Sequence, residues 1–166
     1  MTVLLLGTFE ERGSASEGLP VASGAEAVDR VVVTNSKRTL NLLARGKTVR
    51  RYKVALGGEP VGAKQQQGDH RTPEGQYVLD RRNANSRFYK SIHVSYPNEE
   101  DRKQAAQRGV DAGGDIMIHG LPNGFGWLEA MHREKDWTDG CIAVTDKEMD
   151  EIWDLVGAGT PIEIRP

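Results

Sequence analysis

Short strand-like runs alternate with turn residues from residue 28 onward, and this pattern most limits what the chain can fold into. In the run 91–96, Ile92, Val94 and Tyr96 share one face and polar residues share the other, as in a half-buried strand. The 166 residues include 19 glycines and 7 prolines, which favour many turns over long helices. We therefore predict one mainly β domain over 28–166.

The strand predictions rest on β-branched or alternating runs bounded by turn residues. Turn residues at 35–37 and 45–47 separate the first three runs, which therefore form an antiparallel meander. The predicted strands cover 31–34, 39–43, 49–56, 76–79, 91–96, 115–119 and 162–164.

The predicted helices are few, short and peripheral. Thr145 and Glu148 form a capping box, and apolar residues at helical spacing follow until Gly157 ends the helix. A polar helix over 99–108 begins after Asn98, and a third helix is predicted over 126–134.

Charge and hydropathy exclude two classes of function. The formal net charge is −2, whereas a nucleic-acid-binding protein usually carries a basic face. The apolar runs at 3–6 and 31–33 are far shorter than a membrane span. We therefore expect that the protein binds no nucleic acid and is not an integral membrane protein.

Residues 1–27 are apolar at first and then rich in Gly, Ser and Glu. We predict that they are a leader remnant or a flexible tail outside the domain.

The chain has one cysteine, Cys141, which excludes an internal disulfide and a multi-cysteine zinc site. Such a residue is either a small buried hydrophobe or a reactive thiol.

The run 57–64 nearly matches a phosphate-binding loop. Lys64 comes one place late in the pattern and no Ser or Thr follows it, so we reject this interpretation. We expect neither a metal nor an organic cofactor.

The residues around Cys141 fit nucleophilic catalysis. Cysteine chemistry needs a thiolate, a base that holds the proton, and amide donors for an oxyanion. His119 would be the base, and a protonated His119 would lower the pKa of Cys141. Gly120 has no side chain to orient the imidazole, so a backbone carbonyl would have to do so. Gly140 lets the backbone approach a carbonyl closely. By spacing alone, a Cys and His pair is a weak signal, because chance pairs are common.

Several motifs in order resemble the YkuD-type L,D-transpeptidase catalytic domain. They are Ile-His-Gly at 118–120 and Thr-Asp-Gly-Cys-Ile at 138–142, with Arg-Thr-Pro-Glu-Gly-Gln-Tyr at 71–77 upstream. The run 31–57 is similar to the opening strands of that family, so the resemblance covers nearly all of 28–166. It implies a β-sandwich of mixed sheets with a few short peripheral helices.

The resemblance also implies an activity. Cys141 would attack the carbonyl that precedes a D-residue in a peptidoglycan stem peptide, with His119 as base and the Gly120 carbonyl as its orienter. An amine from a second stem or from an anchored envelope protein, or water, would then resolve the acyl-enzyme. Thr138 would line the site. The oxyanion amides would come from Asp139, Gly140 and Cys141.

Two positions depart from the pattern of the family. Asp139 stands where the best-known members have His, and Ala143 stands where many have Arg or Asn. The chain therefore looks like a divergent branch, some of whose members are similar to amidases that release anchored lipoprotein. A hydrolase is the first alternative, and a silent wall-binding module with a buried Cys141 is the second. The substrate class implies the bacterial cell envelope, as a periplasmic or exported protein.

Further side chains have both a functional and a structural interpretation. We predict His93 and Tyr96 as substrate contacts beside Thr138, although His93 fits an ordinary sheet histidine equally well. His132 belongs to a lid or faces solvent on a helix, and Trp127 and Trp137 stack on substrate or fill the core. The candidates for binding a stem carboxylate are His70, Arg71 and Arg81. The default interpretation of these three side chains is simple exposure to solvent.

Overall fold

A computed structural model describes residues 27–166 of the protein, and strands dominate it. They form one mixed sheet of eight strands in the order β3-β2-β1-β8-β4-β5-β6-β7. The strands are β1 Arg30–Thr34, β2 Thr39–Ala44, β3 Lys47–Lys53, β4 Gly75–Ser86, β5 Tyr89–Val94, β6 Met117–His119, β7 Ile142–Ala143 and β8 Thr160–Arg165. The mainly β class is confirmed, and so is the antiparallel meander of β1, β2 and β3.

The sheet curls until its two edges meet. Beyond the end of β3, the amide of Ala55 donates to the carbonyl of Ala143 at 3.0 Å, and the reverse bond is 2.9 Å. Gly57 forms a second bridge with Thr138. These contacts hold the segment that carries Cys141 between β6 on one side and the extension of β3 on the other.

The core lies on one face of the curled sheet. Alternate residues of the central strands are at most 2% exposed, as the alternation in the sequence predicts. Burial of a Val, Leu or Ile side chain contributes about 1.5–3 kcal/mol, so this face supplies the main drive for folding. The residues are Val31, Val33, Leu40, Leu42, Ile92, Val94, Ile162 and Ile164.

The two α-helices begin at the predicted caps. Helix α1 spans Glu99–Arg108, with the reciprocal bonds of a capping box at Asn98 and a left-handed Gly109 at its end. Helix α2 spans Asp146–Leu155 with a second capping box at Thr145. The segment Gly126–Glu134 consists of two 3-10 turns, because Glu129 leaves the helical region (φ 43°). No helix within residues 27–166 is long and apolar enough to cross a bilayer.

The strands differ from the prediction most in three places, and the remaining strand ends shift by at most two residues. β4 continues to Ser86, because it pairs with β5 in a hairpin whose outer residues 80–85 are exposed and carry no apolar alternation. β3 ends at Lys53. The two-residue β7 is not predicted, since its pairing partners lie far away in the sequence. The prediction for 1–27 falls outside the described residues except for Ala27.

Candidate active site

A cavity of about 780 Å³ lies where β6, β7 and the β4–β5 hairpin come together. Residues from four separate parts of the chain line it. They include Lys64, His70, Phe88, Asp115, Met117, His119, Trp137, Thr138, Asp139 and Cys141. The structure thus brings together Cys141, His119, Thr138 and Asp139 of the predicted site.

The strand register explains why Cys141 and His119 share this cavity. Ile118 pairs with Ile142 and His119 pairs with Ala143 in the parallel β6–β7 ladder. Side chains alternate between the faces of a sheet, and Cys141 precedes Ala143 by two residues. Its thiol therefore lies on the same face as His119, whereas Ile118 and Ile142 point into the core, where neither is exposed.

The orientation of the His119 ring is fixed by its own backbone neighbour. Nδ1 lies 2.6 Å from the carbonyl oxygen of Gly120, and a carbonyl oxygen only accepts, so Nδ1 carries the proton. Nε2 is left with a lone pair. His119 is 3% exposed, and this burial lowers the pKa of the imidazole although the bond to Gly120 opposes it. The ring is thus a neutral base.

Aromatic side chains surround this base. The ring centroids of Phe88 and Trp137 lie 4.6 and 5.9 Å from that of His119. Trp137 in turn packs against His132, whose Nδ1 accepts from the indole Nε1 at 3.4 Å. We call Phe88, His119, His132 and Trp137 the inner wall.

His132 is buried, contrary to the solvent-facing alternative. It is 7% exposed, and its Nε2 has no hydrogen-bond partner within residues 27–166. Burial and the charge of Arg133 lower the pKa of His132 to about 4. Trp137 packs against His119 and lines the cavity, whereas Trp127 is exposed.

The thiol of Cys141 is protonated at rest. The sequence had predicted the opposite, a thiol whose pKa is lowered by a protonated His119. Burial raises the pKa of Cys141 to about 11, and the charges of Asp139 and Asp115 add to the effect. The amide of Met117 and the charge of Lys64 lower this pKa but do not offset the burial. The thiol donates to the carbonyl of Asp115 at 3.4 Å. A neutral imidazole cannot supply the expected stabilisation of a thiolate.

Thr138 braces the turn that presents Cys141. Its hydroxyl donates to the carbonyl of Cys141 at 2.7 Å and accepts from the amide of Gly140 at 3.1 Å. Gly140 has φ +124°, and a Cβ there would lie 2.5 Å from the carbonyl oxygen of Arg71, so only glycine fits. Because the Gly140 amide is bonded to Thr138, an oxyanion site would rest on the amides of Asp139 and Cys141.

A second histidine stands at the solvent side of the cavity. Nδ1 of His70 lies 2.8 Å from Oδ1 of Asp139, and the two side chains are 55% and 91% exposed. We call this pair the mouth. The sequence pointed to Asp139 for its backbone amide and as a departure from the family pattern, not for its carboxylate, and 69 residues separate it from His70.

Sequence reasoning also missed Lys64 as a site residue. Its buried ammonium group donates to Oδ1 of Asp69 at 2.9 Å and to the carbonyl of Gln66 at 3.0 Å. The residue appeared only in the rejected phosphate-loop pattern, although it lines the cavity.

Other predicted contacts lie elsewhere. His93 bonds through Nδ1 to Oδ1 of Asp80 at 2.7 Å and is absent from the cavity lining. Tyr96 is in the core, where its hydroxyl donates to the carbonyl of Ala112 at 2.8 Å. Arg81 lies 3.8 Å from Asp80. Within the described part of the chain, no three His, Cys, Asp or Glu side chains are grouped so as to hold a metal ion.

Relatives share this sequence pattern and fold. YafK of Escherichia coli K12 is 33% identical over 107 residues, which are 63% of this chain and 36% of that protein. The helical cell shape determining protein Pgp2 of Campylobacter jejuni superposes with a TM-score of 0.64 at 23% identity, over 84% of this chain and 48% of that one. An L,D-transpeptidase of Mycobacterium smegmatis gives a TM-score of 0.55 at 15% identity, over 86% and 60% of the two chains.

The chain therefore spans about a third of YafK and about half of Pgp2. The model of the L,D-transpeptidase catalytic domain, named YkuD, matches residues 29–164. This match covers seven strands completely and nearly all of β8, together with the motifs around His119 and Cys141, and it confirms the resemblance. The chain belongs to the YkuD family of L,D-transpeptidase catalytic domains.

Proposed function

We propose that this domain is a peptidoglycan-modifying cysteine acyltransferase. Cys141 attacks the carbonyl that precedes a D-residue in a stem peptide, forms a thioester and releases that residue as a free amine. The observation that carries the proposal is the common face of Cys141 and His119 on adjacent strands of one cavity. Membership of the family supports the substrate class.

The protons balance through His119. As Sγ attacks, the lone pair on Nε2 of His119 accepts the thiol proton, and the amides of Asp139 and Cys141 stabilise the oxyanion. When the carbon–nitrogen bond breaks, His119 returns that proton to the leaving amine. Because the thiol and the imidazole are both neutral at rest, proton transfer accompanies attack on bound substrate.

The nucleophile that resolves the thioester decides the product. An amine of a second stem gives a cross-link, and an amine of an anchored envelope protein gives attachment, whereas water gives hydrolysis. A silent wall-binding module is the weaker alternative, because the thiol lines an open cavity. The substrate would place the protein in the bacterial cell envelope.

Incubation with defined muropeptides tests the proposal. We expect intact-protein mass spectrometry to show a stem adduct that is absent from Cys141→Ala. Product masses then separate new cross-links, which mean transfer, from released stems, which mean hydrolysis. Unchanged products from Cys141→Ala would contradict the nucleophile assignment, and wall binding without any adduct would favour the silent module.

A further inference from the structure

We infer that the mouth, His70 with Asp139, is a second proton-transfer site, which deprotonates an amine acceptor as it approaches the thioester. The inference rests on the proposed function and adds to it the residues that serve the second half-reaction.

The geometry of the mouth is that of an oriented base. A carboxylate only accepts, so the 2.8 Å contact with Asp139 places a proton on Nδ1 of His70 whenever the ring is neutral. Nε2 then has the free lone pair. Asp139 lies two residues before Cys141, and all three side chains line one cavity.

The backbone holds His70 in place. Its φ is +53°, a left-handed value that is uncommon for a residue with a side chain. Its carbonyl accepts from the amide of Glu59 at 3.0 Å, and a Cβ at Gly57 would lie 2.2 Å from the same oxygen. The imidazole is therefore presented by a closely packed segment, although the ring itself is exposed.

The second half-reaction needs a base in contact with solvent. An alkyl amine has a pKa of about 10.4, so the acceptor arrives as an ammonium ion and must lose a proton before it can attack. His119 is 3% exposed and packs against Phe88 and Trp137, where a solvated cation would have to shed its water. The carboxylate of Asp139 is 91% exposed and attracts the cation from solvent.

In this step the acceptor loses two protons, one through each histidine of the cavity. The ammonium ion gives one proton to Nε2 of His70, and the free amine attacks the thioester carbonyl. The new carbon–nitrogen bond forms, the carbon–sulfur bond breaks, and the second amine proton passes through His119 to the sulfur of Cys141. His70 then releases its proton to solvent, so amide, thiol and one proton are the products.

Single-turnover kinetics with a stem donor and an amine-bearing acceptor stem test this role. We expect His70→Gln to slow thioester decay by about 100-fold without slowing thioester formation, and Asp139→Asn to slow decay by a similar factor. The double variant should be no slower than either single one, because the pair acts as a unit. Both side chains are more than half exposed, so the variants are expected to fold.

Two controls sharpen the experiment. Asp80→Asn removes the carboxylate of the similar pair with His93, at 2.7 Å but outside the cavity, and should change neither rate. Hydroxylamine, whose nitrogen is already unprotonated at neutral pH, should cleave the thioester equally fast in the wild type and in the variants.

The outcomes separate this inference from the proposed function. A thioester that decays equally fast in Asp139→Asn and in the wild type overturns the inference, as does an equal slowing of formation and decay. A wild-type decay that is independent of the amine overturns it too. If no adduct forms on Cys141 at all, the proposed function itself fails.

Discussion

The two histidines of the cavity differ in how much solvent each one meets. His119 is 3% exposed in the inner wall, where it packs against Phe88 and Trp137, and its fixed partner is a neutral carbonyl. The side chain of His70 is 55% exposed at the mouth, and its partner is the carboxylate of Asp139. One ring is held neutral in an apolar setting, and the other stands beside a charge in water.

This difference indicates a division of labour. Burial penalises charged forms, so the inner wall favours a reaction in which a proton moves between two neutral groups and returns. The mouth meets solvent and suits exchange of protons and charged acceptors with the surroundings. Variants of residues in the two regions test whether the inner wall and the mouth are as different as their exposures indicate.

The largest expected effect is on the base of the inner wall. His119→Gln should slow thioester formation on Cys141 by about 10²–10⁴-fold, because it removes the base that takes the thiol proton. Intact-protein mass spectrometry over time measures this rate, with Asp80→Asn as the control. An equal loss of formation rate in His70→Gln would break the division between inner wall and mouth.

The next effect is on the pH dependence of stability, which we expect to come from the buried His132. Folded His132 stays neutral to about pH 4, whereas an unfolded histidine binds a proton near pH 6.5. Between these values the unfolded state binds more protons, so stability is lost as the pH falls. The shift corresponds to about 3 kcal/mol at pH 4.

Replacement of His132 should remove this pH dependence. Urea unfolding of His132→Gln should show a flatter decline in the free energy of unfolding between pH 6.5 and 4. A decline as steep as that of the wild type would mean that His132 titrates in the folded inner wall as it does in solvent.

A smaller effect is expected in the turn that joins the inner wall to the mouth. Thr138→Val removes the acceptor for the amide of Gly140 and should cost about 1–3 kcal/mol, because a buried amide is left unpaired. Thr138→Ser keeps the hydroxyl and should retain most of the stability. Urea midpoints compare the three proteins, and an unaltered Thr138→Val would mean that the sheet bridges alone hold the turn.

The smallest effect is on the intrinsic reactivity of Cys141. Only the thiolate reacts with iodoacetamide, so the rate should keep rising with pH beyond the ordinary pKa of 9.0, towards about 11. Near neutral pH we expect about tenfold slower alkylation than in the urea-unfolded chain, since a less acidic thiol gives a more nucleophilic anion that partly compensates. A plateau below pH 9 would show that an ionised imidazole, rather than burial, controls the thiol.

Local sequence signals predicted much of the fold. The capping boxes at Asn98 and Thr145 are satisfied within four residues of chain, so neither helix start depends on distant contacts. The alternation of 91–96 predicted the burial of Ile92, Val94 and Tyr96, although Ser91 on the other face is buried as well. β7 and the outer half of β4 were missed because backbone pairing, rather than an apolar pattern, forms them.

The site residues also divide into those that the sequence identified and those that only the folded chain brings together. The motifs in order, through their resemblance to the family, selected Cys141, His119 and the carbonyl of Gly120, whose contact with Nδ1 joins adjacent residues. Tyr96 was assigned to the substrate although its side chain lies in the core. The inner wall and the mouth could not be foreseen, because residues far apart in the chain compose each of them.

The sequence by itself determined the strand-rich class, the helix caps and the order of the catalytic motifs, since these depend on residue type and on near neighbours. Only the tertiary structure decided that the edges of the sheet meet, that Asp139 pairs with His70, and that the thiol is protonated at rest. The reason is physical: pairing across the sheet and the energy of a charge depend on what surrounds a group in space.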